Sequence, residues 1–491
     1  MSDQTSYKQV VKATSIFGGV QVFNIIISVV RSKIIAIFLG PAGMGIAGLF
    51  NSAIGLIGVA SNFGLDTSAV KNIAVANETG QSGVGREIAI LRRLTWITGT
   101  LGALLTLAFS PLLSRLTFGN DDYTFSFVWI AAAVLVKQLS VGQLVILQGL
   151  RKIQYLAKAN LLGSFFGLFV TVPLYYFFRI DAIVPAMLVT IVVSFIFNAY
   201  YVSKIHTQTV SVTTAQAITE GKAMLTLGLS LSFITILTTL AAYALQIYIS
   251  HSGGLHQVGL FNAGFAIINS YVGLVFNAMA TDYFPRLSAV SQDNNQTRVV
   301  VTQQSFTAIL LMTPIVAGFL FLAPFVVELL YSKEFLPIVM LVSWGILGML
   351  FKAVSWSMGY ILIAKSDSKL FMATSIGFNS VFLANNILGY HFYGLEGLGI
   401  SFLANHIIHF TALKIITKRR YGFYFDSEFY KIYALCLSLC GIGFLFTYIS
   451  NPYLRYGLLF GVVLAASGYC LYQLNKKINL KGALNNKWNR K

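Results

Sequence analysis

The sequence predicts an all-α polytopic membrane protein with about 14 transmembrane helices, and three observations carry that reading. The first is composition. Of 491 residues, 56% are hydrophobic and only 10% are charged, with a mean hydropathy of +0.74. A soluble domain carries about 25% charged residues. The second is spacing, because apolar stretches near the ~20 residues that a bilayer core demands follow one another through short links. The third is where the cations fall. With the N-terminus placed inside, 26 of the 34 Lys and Arg lie in cytoplasmic segments, 4 in outer loops and 4 within spans. That asymmetry sets both termini in the cytoplasm. The formal net charge of +18 is therefore read as membrane topology, and no nucleic-acid partner is expected.

Taken in order, the expected spans lie near 13–39, 43–65, 88–114, 123–149, 153–178, 183–203 and 223–249. They continue near 257–281, 303–330, 336–363, 369–390, 394–416, 431–450 and 453–474. The polar start leads into an apolar stretch too long for a cleaved signal peptide, so it reads as an uncleaved first span. Outer loops are a few residues each. The longer inner links, near 66–87, 204–222, 282–302 and 417–430, are polar and helix-compatible, and are expected along the membrane surface. Cys436, Cys440 and Cys470 all fall in apolar helices, where small packing residues are expected rather than disulfides or a zinc site.

An internal repeat organises these spans. GLFN at 48–51 returns at 259–262, and KATSIFG (12–18) matches KAMLTLG (222–228) at Lys, Ala and Gly. Lys137 and Lys352 each sit mid-span, with a cytoplasmic cation (Arg151, Lys365) 14 or 13 residues later. These features share an offset of 210–215 residues. The expected organisation is an N-terminal six-helix lobe over 1–215 and a second over 216–420. Residues 421–491 add two further transmembrane helices and a basic cytoplasmic tail. An even number of spans per half makes the halves parallel, related by an axis along the membrane normal.

The mid-span lysines are the sharpest chemical signal. Each lies roughly 15 Å from either interface, and a lysine stem reaches only about a third of that. A charge at that depth costs at least ~3 kcal/mol unless it meets water or a partner. No Asp or Glu sits at comparable depth, so an anionic ligand in a wet cavity is the expected partner; the alternative is pairing with backbone carbonyls. Arg31 and Lys33, two residues apart, point to different helix faces. Arg31 is the deeper and suits a phosphate through its planar fork, whereas Lys33 is near enough to the Gly40–Pro41 corner to snorkel outward. Asn51 and Asn262 close the two GLFN copies, where an amide can meet sugar hydroxyls or phosphate, or simply bond between helices. Asp66, Asp282 and Arg286, at cytoplasmic span ends, read as gate or coupling residues or as salt-bridged capping structure.

Other patterns carry less. GMGIAG (43–48) fits GxGxxG but joins two apolar helices, so it is no dinucleotide site. There is no GxxxxGK[ST], and no Ser/His/Asp or carboxylate cluster suggests an enzyme. His406 and His409, at i, i+3, are read as polar helix packing in preference to a metal pair. No cofactor is expected. Coupling to a proton or sodium gradient is open to such a carrier, with Asp66 and Asp282 as the candidates.

KIIAIFLGPAGMGIAGLFN (33–51), TDYFPRLS (281–288) and YGLEGLGISFLA (393–404) resemble segments of the Wzx-type polysaccharide flippases. That family belongs to the multidrug/oligosaccharidyl-lipid/polysaccharide (MOP) exporter superfamily, with the lipid II flippases and the multidrug-and-toxin (MATE) extruders. The likeness spans residues 1 to about 420. It implies two six-helix lobes in a MATE-like arrangement around a central cavity in the bacterial inner membrane. The implied activity is transfer of an undecaprenyl-diphosphate-linked oligosaccharide, for O-antigen or a related surface glycan, to the periplasmic leaflet. Its cavity cations would hold the diphosphate, which fits Arg31, Lys137 and Lys352. Membrane lipids, a glycan polymerase and chain-length proteins are the implied partners. The chain departs from this family in its extra pair of spans, which resembles the lipid II flippases. A cation-coupled drug extruder of the same fold and a membrane-embedded polymerase or glycosyltransferase are the rival readings. The first calls for embedded carboxylates and the second for a large loop bearing catalytic acids.

Overall fold

The computed structural model describes residues 2–79, 81–207 and 210–478. Every regular element among these residues is helical. A chain this apolar requires that, since in lipid each backbone N–H and C=O has to be satisfied within its own helix. The α-helices are α1 (Ser2–Asn62), α2 (Leu65–Thr79), α3 (Gln81–Ala108), α4 (Ser110–Phe118), α5 (Thr124–Gly149), α6 (Ile153–Phe178) and α7 (Ile183–Ser203). They continue as α8 (Thr214–Phe265), α9 (Leu274–Ala289), α10 (Asn294–Leu330), α11 (Val339–Ala364), α12 (Ser368–Tyr421), α13 (Ser427–Phe446) and α14 (Pro452–Ile478). A π-helical segment, Ala266–Val272, joins α8 to α9. The basic tail from residue 479 onward lies outside the described residues.

Ten helical runs among the described residues are long and apolar enough to cross a membrane. Four of them, of 40, 51, 76 and 54 residues, are longer than one crossing uses, and each is interrupted. α1 breaks at Gly40 (φ 63°, ψ −170°), directly before Pro41. α8 breaks at Gly254 (φ 81°, ψ 174°) and α12 at Gly394 (φ 56°, ψ −136°). Arg179 (φ 53°, ψ −129°) separates α6 from α7. Positive φ costs glycine no steric clash, which is why three of the four corners carry it. The corners recur at the spacing of the sequence repeat: Gly40 and Gly254 are 214 residues apart, and Arg179 and Gly394 are 215 apart. Two further residues of positive φ, Arg151 and Ser366, are again 215 apart.

By its internal contacts the chain forms two compact units, Met1–Gly259 and Leu260–Lys491, whereas the sequence repeat divides it at 215/216. The difference lies in α8 as far as Gly259, on both sides of its break at Gly254, which runs antiparallel along the second stretch of α1. Gly228 meets Gly64, Thr239 meets Gly55, Leu255 meets Gly45, and Gly259 meets Pro41, three of these pairs at backbone level. Midway, Ser52 Oγ donates to Gln246 Oε1 at 3.1 Å. Small residues at the contact let the two backbones approach this closely, as in membrane helix pairs generally. Tyr243 and Thr117 share a buried hydrogen bond of 2.5 Å that ties α8 to α4. The remaining core of this unit gathers Leu65, Ile73, Leu91 and Leu94 of α1–α3 side with Ile146 and Leu147 of α5, all at most 1% exposed.

In the second unit α10 packs against α11, α13 and α14, with Ala317, Val462 and Ala466 buried at that junction. Cys436, Cys440 and Cys470 are buried and free, and Cys440 Sγ donates to the Thr313 carbonyl at 3.6 Å. Aspartates start three of the helices: Asp293, Asp367 and Asp426 accept from the first-turn amides of α10, α12 and α13. Each satisfies a donor that the helix end leaves open. The inner links are largely helical, as their composition suggests. The link at 66–87 is chiefly α2, and that at 417–430 narrows to a short coil between Tyr421 and Ser427.

Candidate functional site

The embedded cations are placed by the helices that carry them, three in the first unit and one in the second. Lys137, on α5, extends toward Gly58 of α1. A Cβ built at Gly58 would lie 3.6 Å from Nζ and 3.8 Å from Cε, ordinary contact distances, so the ammonium lies directly against α1 at Gly58. Lys137 makes no hydrogen bond and no ion pair among the described residues. Its neighbour Gln138, by contrast, is buried and fully engaged. Gln138 Nε2 donates to Asn62 Oδ1 at 2.8 Å and to Thr98 Oγ1 at 3.1 Å, fixing α5 against α1 and α3. Asn198 Nδ2 of α7 donates to Ser140 Oγ at 2.8 Å one turn further along. Lys137 therefore sits on a helix whose rotation is locked by buried amides. We expect Gln138→Leu to lower the thermal midpoint by the equivalent of about 1–3 kcal/mol, because Asn62 and Thr98 lose a buried partner. Thermal unfolding in detergent measures this, and an unchanged midpoint would remove the network from the account.

Arg31, on the first stretch of α1, is half-buried, and its Nε is fully buried without a hydrogen-bond partner. The Tyr175 hydroxyl of α6 is the ionisable group that acts on it. A guanidinium with an orphan N–H lacks the acceptor that its desolvation calls for. Lys33 is half-buried on the adjoining face. Asn51 is exposed, while Asn262, its counterpart in the second unit, keeps a buried Nδ2 without a partner.

In the second unit Lys352 of α11 donates from Nζ to Asn269 Oδ1 at 3.1 Å. The ammonium lies 5.9 Å from the ring centroids of both Phe276 and Phe402. Asn269 belongs to the π segment, a widened turn that re-aims side chains. It stands 211 residues after Gly58, the same offset that separates the two GLFN copies. The two mid-span lysines thus face the same place in the two halves, one opposite a glycine and the other opposite an amide. Sequence reading singled out both lysines but missed Asn269, Gln138, Asn62 and Tyr175. Only Asn269 had a signal, the repeat offset; the rest depend on packing between distant helices.

Asp66, Asp282 and Arg286 lie apart from these groups. Asp66 is exposed in the first turn of α2, where a carboxylate favours the positive end of the helix dipole. Asp282 pairs with Arg286 at 3.7 Å, with side chains 83% and 44% exposed. At that exposure an i, i+4 pair contributes little. Arg286 Nη2 also donates to Gln304 Oε1 at 3.2 Å. It lines a cavity of about 680 Å³ shared by α9, α10, α13 and α14, where Arg298, Asp426 and Glu428 bring both signs of charge.

The profile of one protein family, described as "Polysaccharide biosynthesis protein", matches residues 34–340. The chain belongs to that family. The chain is 23% identical over 397 residues to the lipid III flippases of Escherichia coli (strain K12) and Shigella flexneri, covering 77% of its own length and 91% of theirs. Its fold matches lipid II flippase MurJ in an inward closed conformation with TM-score 0.71 at 12% identity, covering 95% of this chain and 99% of MurJ. It also matches an inward-facing multidrug resistance MATE family transporter of the MOP superfamily, with TM-score 0.70 at 16% identity, covering 82% and 94%. The chain therefore shares the fold of these solved structures, and the Wzx-type resemblance read from its motifs agrees with its family.

Proposed function

We propose that this protein is a flippase that carries an undecaprenyl-diphosphate-linked oligosaccharide from the cytoplasmic to the periplasmic leaflet of the bacterial inner membrane. The observation that carries this reading is Lys137. It is a mid-span ammonium with no hydrogen-bond or ion-pair partner among the described residues, lying against Gly58, in a chain of the polysaccharide biosynthesis family. Lipid III and lipid II flippases among its relatives and structural neighbours support the substrate class. In this reading the four long broken runs each cross the bilayer twice, giving fourteen spans with both termini in the cytoplasm. The MurJ match covers more of the chain than the MATE match, a difference of the order of α13 and α14 together.

The physical task is to move a diphosphate through a medium in which an unpaired charge is prohibitively costly. Lys137, Lys352 and the orphan Nε of Arg31 supply positive charge and donors along the path. The polyprenyl tail stays in lipid, and the sugars follow the diphosphate through a wet, positive lumen. Alternating exposure of the site to either leaflet then completes transfer. The glycan would be the repeat unit of O-antigen or a related surface polymer, handed to a polymerase and chain-length partners outside. Asp66 and the Asp282–Arg286 pair, exposed at span ends, fit gate structure better than an embedded coupling site. A drug extruder would place carboxylates where this chain has Lys137 and Lys352.

Depleting the protein should make undecaprenyl-diphosphate oligosaccharide accumulate on the cytoplasmic leaflet, with surface glycan falling in step. Restoring the wild-type gene should reverse both. Depletion without accumulation of the lipid-linked glycan would sink the proposal and bring the drug extruder forward.

A further inference from the structure

Two imidazoles in the second unit have no part in the account above. His406 and His409 lie on the second stretch of α12, their ring centroids 6.5 Å apart. His406 is 7% exposed, and the Nδ1 atoms of both rings are buried without a hydrogen-bond partner. Phe402 closes over His406 at 4.5 Å and Phe378 over His409 at 4.4 Å. The Lys352 ammonium stands on the same Phe402 ring, 5.9 Å from its centroid. A polar helix-packing histidine would satisfy its buried nitrogen, and these two do not.

The charged surroundings of the pair are sparse. From α11 comes Lys352, which with the neighbouring imidazole makes up the ionisable groups acting on the pair. From α13, Tyr433 reaches only as far as Phe410, at 5.8 Å. The first stretch of α12 contributes Phe378 and Asn385, the latter donating to Asn405 Oδ1 at 2.8 Å. The π segment and α9 contribute Asn269 and Phe276, both on Lys352. Among the described residues no carboxylate acts on the pair. Three basic groups gathered about the Phe402 ring oppose one another's charge while the site is empty. An anion placed against Lys352 changes that balance and makes a proton on the pair favourable.

We propose that His406 and His409 form a proton-binding site that takes up one proton when the lipid diphosphate settles against Lys352 and releases it when the diphosphate leaves. The proposal rests on the flippase reading. The new N–H bond forms on an imidazole nitrogen as an O–H bond of a hydronium ion breaks, and unloading reverses the exchange. The proton travels with its cargo and trims the cargo's negative charge by one. A membrane potential that is positive outside still draws the remaining negative charge outward, worth about 2.3 kcal/mol per charge per 100 mV.

The sign of the linkage is definite. A site that gains a proton on binding binds more tightly as pH falls, by up to about tenfold per pH unit for one linked proton. The probe is undecaprenyl diphosphate bearing one N-acetylglucosamine, whose diester phosphates stay ionised over the range used. Its affinity for the full chain in nanodiscs would be measured from about pH 5.5 to about pH 8, which brackets the ordinary histidine range. Wild type should bind roughly tenfold more tightly at the acid end, and His406→Gln/His409→Gln should bind with a profile flat to about twofold. Wild type should also take up about one proton per lipid bound in weakly buffered solution, a measurement that needs no variant to fold. A pH profile shared by wild type and variant, or no proton uptake, would overturn the proposal and leave the diphosphate reading standing. Failure of the probe to bind at any pH would overturn both.

Discussion

Lys137→Gln is expected to reduce export of the lipid-linked glycan at least tenfold, while leaving the thermal midpoint unchanged or raised. The two halves of this result have one cause. A charge at the centre of a span costs at least ~3 kcal/mol when nothing pairs with it, and Lys137 has no hydrogen-bond or ion-pair partner among the described residues. Gln removes the charge, keeps most of the volume and leaves Gly58 with its space. The folded protein therefore gains or holds stability, and the anion loses its counter-charge. Tenfold corresponds to about 1.4 kcal/mol of transition-state stabilisation, a modest demand on an ion pair out of bulk water. Residues kept for function at the expense of stability behave this way when removed. Lys352→Gln should differ in kind, because the ammonium is also held by Asn269. That variant should lose export and stability together. Complementation of a depleted strain, with surface glycan as the readout and thermal unfolding of the purified variants beside it, separates the two patterns. A Lys137→Gln protein that exports normally would take this lysine out of the mechanism.

Gly259→Ala is expected to destabilise the protein by about 3 kcal/mol, or to prevent its accumulation, although the same change elsewhere is benign. An alanine Cβ at 259 would overlap the Pro41 carbonyl and lie 3.0 Å from the Gly45 nitrogen. Both are backbone atoms that no rotamer change can move. Overpacking of this kind costs 1–3 kcal/mol, occasionally more. At Gly461, on α14, a Cβ meets nothing within 4 Å. Gly461→Ala should therefore raise stability slightly, since Ala is favoured over Gly in a helix by about 0.5–1 kcal/mol. The pair of variants makes one chemical change with opposite signs of effect. Equal midpoints for both would mean that the α1–α8 backbone contact is not as close as described.

Much of this molecule is legible in its sequence because lipid enforces simple rules. Length and apolarity place the helices, and Gly40–Pro41 marks a corner. Lys137 and Lys352 stand out because nothing about membrane helices by themselves explains a mid-span ammonium. What escaped sequence reading is what depends on residues far apart in the chain. Gly58 is unremarkable until α5 brings Lys137 to it. Asn269 meets Lys352 only through a π segment, a one-residue widening that leaves no mark in hydropathy. His406 and His409 read as packing residues because their spacing fits a helix face, and only the packed structure shows their Nδ1 atoms to be unanswered. The packing of α8 along α1 likewise joins Gly64 to Gly228 and Pro41 to Gly259, pairs that no local pattern connects.

The matched corners say something about ancestry. At 179 and 394 the backbone takes nearly the same dihedral angles with arginine in one place and glycine in the other, and at 151 and 366 arginine and serine share positive φ. A conformation that survives exchange of the residue adopting it is not chosen by that residue. It is imposed by the helices on either side. The lysines tell the complementary story. The cation was kept in both descendants and its neighbour was not, glycine in one and asparagine in the other. The two halves thus share the geometry of their corners and differ in what surrounds the charge, one lysine lying against a glycine and the other held by an amide.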